Sequence, residues 1–164
     1  MGSAMRRLSL PLALAALLLP AAAVSANTSH AGWPEYELLK MHKRDQDGPI
    51  HGHPAKHNEL LGGHGNDWIY GGRKADVIWG DYKPGGQPTT QVDHLYGRGG
   101  RDFIYASHGT NYIWTGTGRD VVHAHFGRGE IHCSRGDMVF ISHRSRPHYR
   151  LFGCHRVSYK TLGY

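Results

Sequence analysis

Three sets of residues in this 164-residue chain carry chemistry. The first is a row of acids and amides, Asn58, Asp67, Asp76, Asp93, Asp102, Asn111, Asp120 and Asp137, which recur at close to a fixed interval. They supply oxygen donors in series, with no nucleophile or base at matching spacing. The second is histidine, 14 in all, including His51, His53, His57, His64, His123, His125 and His132. A His-x-His pair on a strand can chelate zinc or copper. No Cys or Glu completes a tetrahedral set here, so solvated side chains are the expectation. The third is Cys133 and Cys154, the only two cysteines. There is no HExxH zinc-protease motif, no GxSxG elbow and no acid pair outside the row, so catalysis is not expected.

The element that spaces the acids is a nine-residue unit. GGHGNDWIY (62–70) runs directly into GGRKADVIW (71–79). After an insertion come QVDHLY, ending at Tyr96, and then GRGGRDFIY (97–105), ASHGTNYIW (106–114), TGTGRDVVH (115–123) and AHFGRGEIH (124–132). HPAKHNELL (53–61) precedes them, and CSRGDMVFI (133–141) follows one residue short of register. Nine residues accommodate a six-residue turn and a three-residue strand, and two units close one coil. The acid or amide falls at the sixth place. An aliphatic falls at the eighth: Leu60, Ile69, Ile78, Leu95, Ile104, Ile113, Val122 and Ile131. Because strand side chains alternate, the eighth place points inward as the core while the seventh and ninth point out. The predicted fold is all-β, a right-handed parallel β-roll (β-solenoid) over residues 53–141.

GGHGNDWIY matches in full the GGxGxDxUx pattern, and the chain resembles the RTX, or hemolysin-type, calcium-binding repeat proteins over about residues 53–141. The resemblance implies Ca2+ between equivalent turns of successive coils, held by repeat aspartates and by turn carbonyls. Calcium takes six to eight oxygens, and glycine lets carbonyls turn inward. The implied metal residues are Asp67, Asp76, Asp93, Asp102, Asn111, Asp120 and Asp137, with Gly62, Gly63, Gly65, Gly97 and Gly99 in the turns. Alternating sides sorts the row into two ladders. Asn58, Asp76, Asp102, Asp120 and Asp137 form one, and Asp67, Asp93 and Asn111 the other. The Asp67/Asp93, Asp76/Asp102 and Asp102/Asp120 gaps are the expected calcium sites. The turns also carry Arg73, Lys74, Arg98, Arg101, Arg119, Arg128 and Arg135. A guanidinium can pair bidentately with a carboxylate, which leaves open a roll closed in part by Asp/Arg pairs.

The ends and the loop complete the plan. Residues 1–26, with Arg6 and Arg7 before an apolar run and Val24-Ser25-Ala26 at its end, read as a secretory signal peptide. The mature protein is then extracellular, and its net charge falls from +6 to about +4. In that oxidising compartment Cys133 and Cys154 are expected to bridge. Residues 27–52 are expected to cap the roll, with a short helix over 33–43 started by Pro34, and 142–164 to form a disulfide-closed C-terminal cap. Leu151, Phe152 and Val157 should cover the last coil. The insertion 80–91 should be a surface loop with Asp81 solvated. Segment 27–52 is too short for a catalytic domain. Outward aromatics (Trp68, Tyr70, Tyr96, Tyr112 and Trp114 on one face; Trp79, Phe103 and Tyr105 on the other) are expected to stack between strands. An alternative is a metal-independent adhesin whose aromatic face binds a cell-surface glycan or protein. Scattered basic residues argue against nucleic acid, no membrane span is expected, and a monomer is.

Overall fold

A computed structural model describes residues 32–43, 45–82 and 86–160. The expected signal peptide lies outside them. The described chain winds into a flattened parallel β-solenoid. One sheet of seven strands contains, in spatial order, β1 (Leu38–Met41), β3 (Asn58–Leu61), β5 (Val77–Trp79), β8 (Phe103–Tyr105), β11 (Val121–Ala124), β13 (Met138–Ile141) and β15 (Val157–Ser158). The facing sheet of six contains β2 (Gly48–His51), β4 (Asp67–Tyr70), β6 (Val92–Tyr96), β9 (Thr110–Trp114), β12 (Arg128–His132) and β14 (Tyr149–Phe152). A two-residue ladder, β7 (Gly99–Gly100) with β10 (Thr117–Gly118), joins two turns.

The eighth-place aliphatics stack across the coils: Ile69 on Leu95, Leu95 on Ile113 and Ile113 on Ile131 in one sheet, Ile78 on Ile104 and Ile104 on Val122 in the other. All of them are fully buried. Full burial of an Ile or Leu side chain is worth roughly 1.5–3 kcal/mol, so one inward residue per strand builds a narrow but continuous core.

Both ends depart from the expected caps. Residues 33–43 form no helix. β1 instead pairs in parallel with β3, Leu38 against Asn58 and Met41 against Leu61, and the His57 carbonyl accepts from the N–H groups of Glu37 and Leu38. A helix this short is marginal in water, whereas the free edge of β3 offers a full row of backbone partners. Leu39 and Met41 consequently face outward. The roll therefore begins before residue 53, and the tail adds one more coil through β14 and β15. Leu151 and Val157 pack on the core as expected, but Phe152 points away from it and stacks on the His132 ring. Cys133 and Cys154 are bridged, with Cα atoms 4.9 Å apart.

The insertion 80–91 leaves and re-enters within one turn, so β6 still pairs with β4 and β9. Its described residues are only partly a surface loop, with Gly86, Thr89 and Thr90 exposed. Asp81, Gln87 and Gln91 are buried. Gln91 Nε2 donates to Asp81 Oδ1, and His108 binds Asp81 Oδ2 through its backbone N–H at 2.9 Å and Nδ1 at 2.8 Å. Expected solvated, this carboxylate is instead the anchor of the loop.

The two outer faces differ. On the seven-stranded sheet Val77, Trp79, Phe103 and Tyr105 form a second buried cluster. Trp33 lies against it, its indole N–H donating to Tyr105 Oη at 2.8 Å. On the six-stranded sheet a column of rings runs His51, Tyr70, Tyr96, Trp114, His132, Phe152. Its centroids are 4.8, 4.7, 4.8, 5.3 and 4.5 Å apart, and its planes are within 9° of parallel.

Candidate metal centre

Each ladder residue sits where a glycine-rich turn enters a strand, so the parallel register stacks equivalent side chains coil upon coil. In the ladder beside the seven-stranded sheet, Asp102 Oδ1 accepts from the backbone N–H of Asp76 at 2.8 Å, Asp120 Oδ1 from that of Asp102 at 2.8 Å, and Asp137 Oδ1 from that of Asp120 at 3.0 Å. Asp76 Oδ1 accepts from both the backbone and the amide nitrogen of Asn58, at 2.7 Å each. In the other ladder Asp93 Oδ1 accepts from the Asp67 N–H at 3.1 Å. Asn111 lies in register with Asp93, and Gly129 and then Tyr149 take the following places. The structure therefore brings together the two groups that alternation separates.

The second carboxylate oxygen divides the acids. Asp76 Oδ2 accepts from the Gly72 N–H at 2.5 Å. Asp137 Oδ2 accepts from Thr115 Oγ1 at 2.7 Å and the Ser134 N–H at 2.6 Å. The Oδ2 atoms of Asp67, Asp93, Asp102 and Asp120 are buried with no hydrogen-bond partner in good geometry, although the Ser107 side chain lies close enough to Asp93 to favour its ionised form. Burial pushes Asp102 up to about 9, with the neighbouring Asp120 charge adding to it, and Asp93 up to about 8. Burial likewise raises Asp67 and Asp120 to about 6. Two unit charges one strand spacing apart repel by roughly 3 kcal/mol at an effective dielectric of about 20. Ionised together, these carboxylates need a cation.

The amide turns behave differently. Asn58 Nδ2 donates to the His53 and Lys56 carbonyls, at 3.1 and 2.9 Å, while its Oδ1 accepts from the His53 N–H. Asn111 Nδ2 donates to the Ser107 and Gly109 carbonyls and to Tyr149 Oη, and its Oδ1 accepts from the Ser107 N–H. A carboxamide carries donor and acceptor and closes its turn unaided. A carboxylate has no donor for the turn carbonyls.

Glycines flank the orphaned oxygens. A Cβ on Gly62 would stand 2.5 Å from Asp67 Oδ2 and 2.6 Å from the Gly80 carbonyl oxygen. One on Gly97 would meet Asp102 Oδ2 at 2.6 Å and collide with the Thr115 carbonyl. Carboxylate and carbonyl oxygens of adjacent coils thus converge where only hydrogen fits, the donor set calcium prefers. Gly63, with φ +98°, lies against the Tyr82 ring, Gly65 against the Gln46 carbonyl, and Gly99 belongs to β7. Among the described residues no three His, Cys, Asp or Glu side chains converge as a metal cluster. A centre here would be built from two carboxylates plus carbonyls.

Chain cations do not close the ladders, and the histidines are solvated only in part: His51 and His53 are exposed, His57, His64 and His132 half-buried. Among the described residues no Arg or Lys pairs with a ladder aspartate. Arg98 and Arg101 lie over the Tyr70 and Phe103 rings, and Lys74 pairs with Glu37. The arginines are thus directed outward, where planar rings and water accept them without desolvation. His123 and His125 are buried, Nδ1 of the first 3.5 Å from Nε2 of the second. One cationic candidate does touch a ladder acid: His42 Nδ1 is 2.6 Å from Asp67 Oδ1. His42 escaped sequence reading because it lies outside the repeat, where only β1 places it.

The family model of the RTX calcium-binding nonapeptide repeat matches residues 58–82 and 89–122, in 4 copies. These are RTX repeats. The matched stretches hold Asp67, Asp76, Asp93, Asp102 and Asp120, which include all four acids with orphaned oxygens. They stop short of Asp137, whose unit is one residue out of register. No curated protein and no solved structure shows a significant match to the chain. The RTX assignment therefore rests on the repeats themselves and on the solenoid they build.

Proposed function

We propose that this is a secreted calcium-binding RTX β-roll with a structural or binding role and no catalytic one, holding calcium at two centres. One lies between Asp67 and Asp93, the other between Asp102 and Asp120. The observation that carries this reading is the set of four buried, unbonded Oδ2 atoms in acids whose neighbours are turn carbonyls. Bound there, calcium supplies the positive charge that lets each pair of stacked carboxylates ionise. Gly62 and Gly97 leave the space, and the turn carbonyls complete the oxygen set.

This is narrower than the sequence suggests. Asp76 and Asp137 have both oxygens engaged by the chain, so the Asp76/Asp102 gap is weaker than the other two. Asn111 spends its amide on its own turn and on Tyr149. RTX repeats are typical of extracellular bacterial proteins, in keeping with the leader read at residues 1–26. Among the described residues no helix is long and apolar enough to cross a membrane.

Isothermal titration of the mature chain with calcium chloride, alongside thermal melts with and without chelator, tests the proposal. Two saturable sites and a calcium-dependent melting temperature are expected. A melt indifferent to both calcium and chelator would sink it.

A further inference from the structure

One ladder changes character along the roll. Its acids end at Asp93, and Asn111, Gly129 and Tyr149 continue the register. Outside this neutral stretch lies a cavity of about 740 Å³. Three successive turns line it: His108 from the first, His125 and Arg128 from the second, Arg144, Ser145 and His148 from the third. No acid is among its lining residues. Asp81 sits behind His108 and engages its Nδ1 at 2.8 Å, so the nitrogen left to the cavity is Nε2.

Two permanent charges dominate. Arg128 and Arg144 are exposed, and among the described residues neither has a carboxylate partner. This contrasts with Arg150, which pairs with Glu130. Guanidinium forks match the oxygens of phosphate and sulfate, and two of them on separate turns can grip one tetrahedral group from two sides. The turns that present them are held firmly. Tyr149 Oη donates to the Phe126 carbonyl at 2.9 Å, and the Ser145 hydroxyl donates to the His125 carbonyl at 2.7 Å. The Phe126 ring stacks on His108, centroids 4.2 Å apart, giving the cavity an apolar wall beside its cationic rim.

The geometry points to a second binding site, independent of calcium, for a phosphate or sulfate monoester of a sugar-sized group. The volume lies in the range of small-molecule pockets and exceeds what a bare oxyanion fills. The charged rim takes the oxyanion, and the Phe126 side takes the body of the ligand.

The test titrates the mature chain with glucose 6-phosphate, glucose 6-sulfate, inorganic phosphate and glucose. Saturable binding of at least one ester is expected, with inorganic phosphate about tenfold weaker and glucose not binding. The ester that binds more tightly identifies the phosphate or sulfate source. Arg128→Ala/Arg144→Ala should lower ester affinity at least about tenfold while leaving circular dichroism and the calcium isotherm unchanged. Arg73→Ala/Arg119→Ala, equal in charge but on the opposite edge, should bind as the parent does. Absence of saturable ester binding, glucose binding as well as its esters, or equal weakening by the two double variants would each overturn the inference.

Discussion

The Asn58 and Asn111 turns and the Asp102 and Asp120 turns occupy the same place in the same period, yet they solve the turn differently. In the amide turns the side chain donates to the turn's own carbonyls and accepts one of its N–H groups. In the acid turns one oxygen reaches the preceding coil and the other is buried without a partner. A single substituent, NH2 against O, decides whether the turn is complete by itself or waits for a cation. A mixed row of Asn and Asp is therefore a pattern of closed and open sites along one scaffold.

The largest effect should come from calcium itself. At a free concentration 100 times Kd each centre adds about 2.7 kcal/mol, so chelation should lower the melting temperature sharply and raise hydrogen exchange first in the 97–120 turns. The pH dependence has a definite sign. Asp102 and Asp93 have folded values raised to about 9 and 8, above those of an unfolded aspartate. Their contribution to the metal-free fold is fully present below about pH 4 and is lost as pH rises through 8 and 9. Buried His125 is lowered and acts oppositely, at acid pH. Between pH 7 and 10 the apo protein should thus lose stability, while calcium affinity rises because protons no longer compete. An apo melting temperature flat over that range would break the comparison.

Exchanging the side chains tests it directly. Asn111→Asp removes the donor shared among the Ser107 and Gly109 carbonyls and Tyr149 Oη and buries a charge. A loss of roughly 3 kcal/mol is expected in chelator, recovered in part if the new carboxylate recruits calcium beside Asp93. Urea melts with and without calcium read both terms.

The reverse exchange should be smaller and change sign with conditions. Asp102→Asn replaces a buried carboxyl that must hold its proton up to about pH 9 with a permanently neutral amide carrying a second donor, so the apo protein should gain about 1 kcal/mol. The same variant should lose one calcium site by titration. Asp76→Asn, where both oxygens are already engaged, should leave the number of sites unchanged. If it removes a site as Asp102→Asn does, the division between open and closed acids is wrong.

How much of this was legible follows from where the information sits. The eighth-place aliphatics and the two ladders are local and periodic, so the repeat predicts the core, the strand positions and which acids share an edge. The same period cannot show that Asp76 Oδ2 finds the Gly72 N–H while Asp102 Oδ2 finds nothing, because turns of one sequence pattern differ by small shifts in backbone geometry. Nor does it reach His42 or Asp81, which lie outside the repeat and are brought to the ladders by β1 and by the folded-back insertion. The helix expected at 33–43 failed for the same non-local reason: the partner of that segment is an edge created by β3.

The two outer faces offer the smallest test. Tyr105 is buried under Trp33, while Trp114 is half-buried in the open ring column. Trp114→Ala should cost only about 1 kcal/mol, the scale of a cross-strand aromatic pair. It should also leave retention on insoluble glycan unchanged. A sugar platform needs ring faces turned to solvent, but Trp114 presents one face to Tyr96 and the other to His132, at 4.8 and 5.3 Å. The column shows its edges outward and spends its faces on cohesion between coils. If Trp114→Ala abolishes glycan retention while stability holds, the open face is a recognition surface, and the likeness of the two faces is greater than their burial suggests.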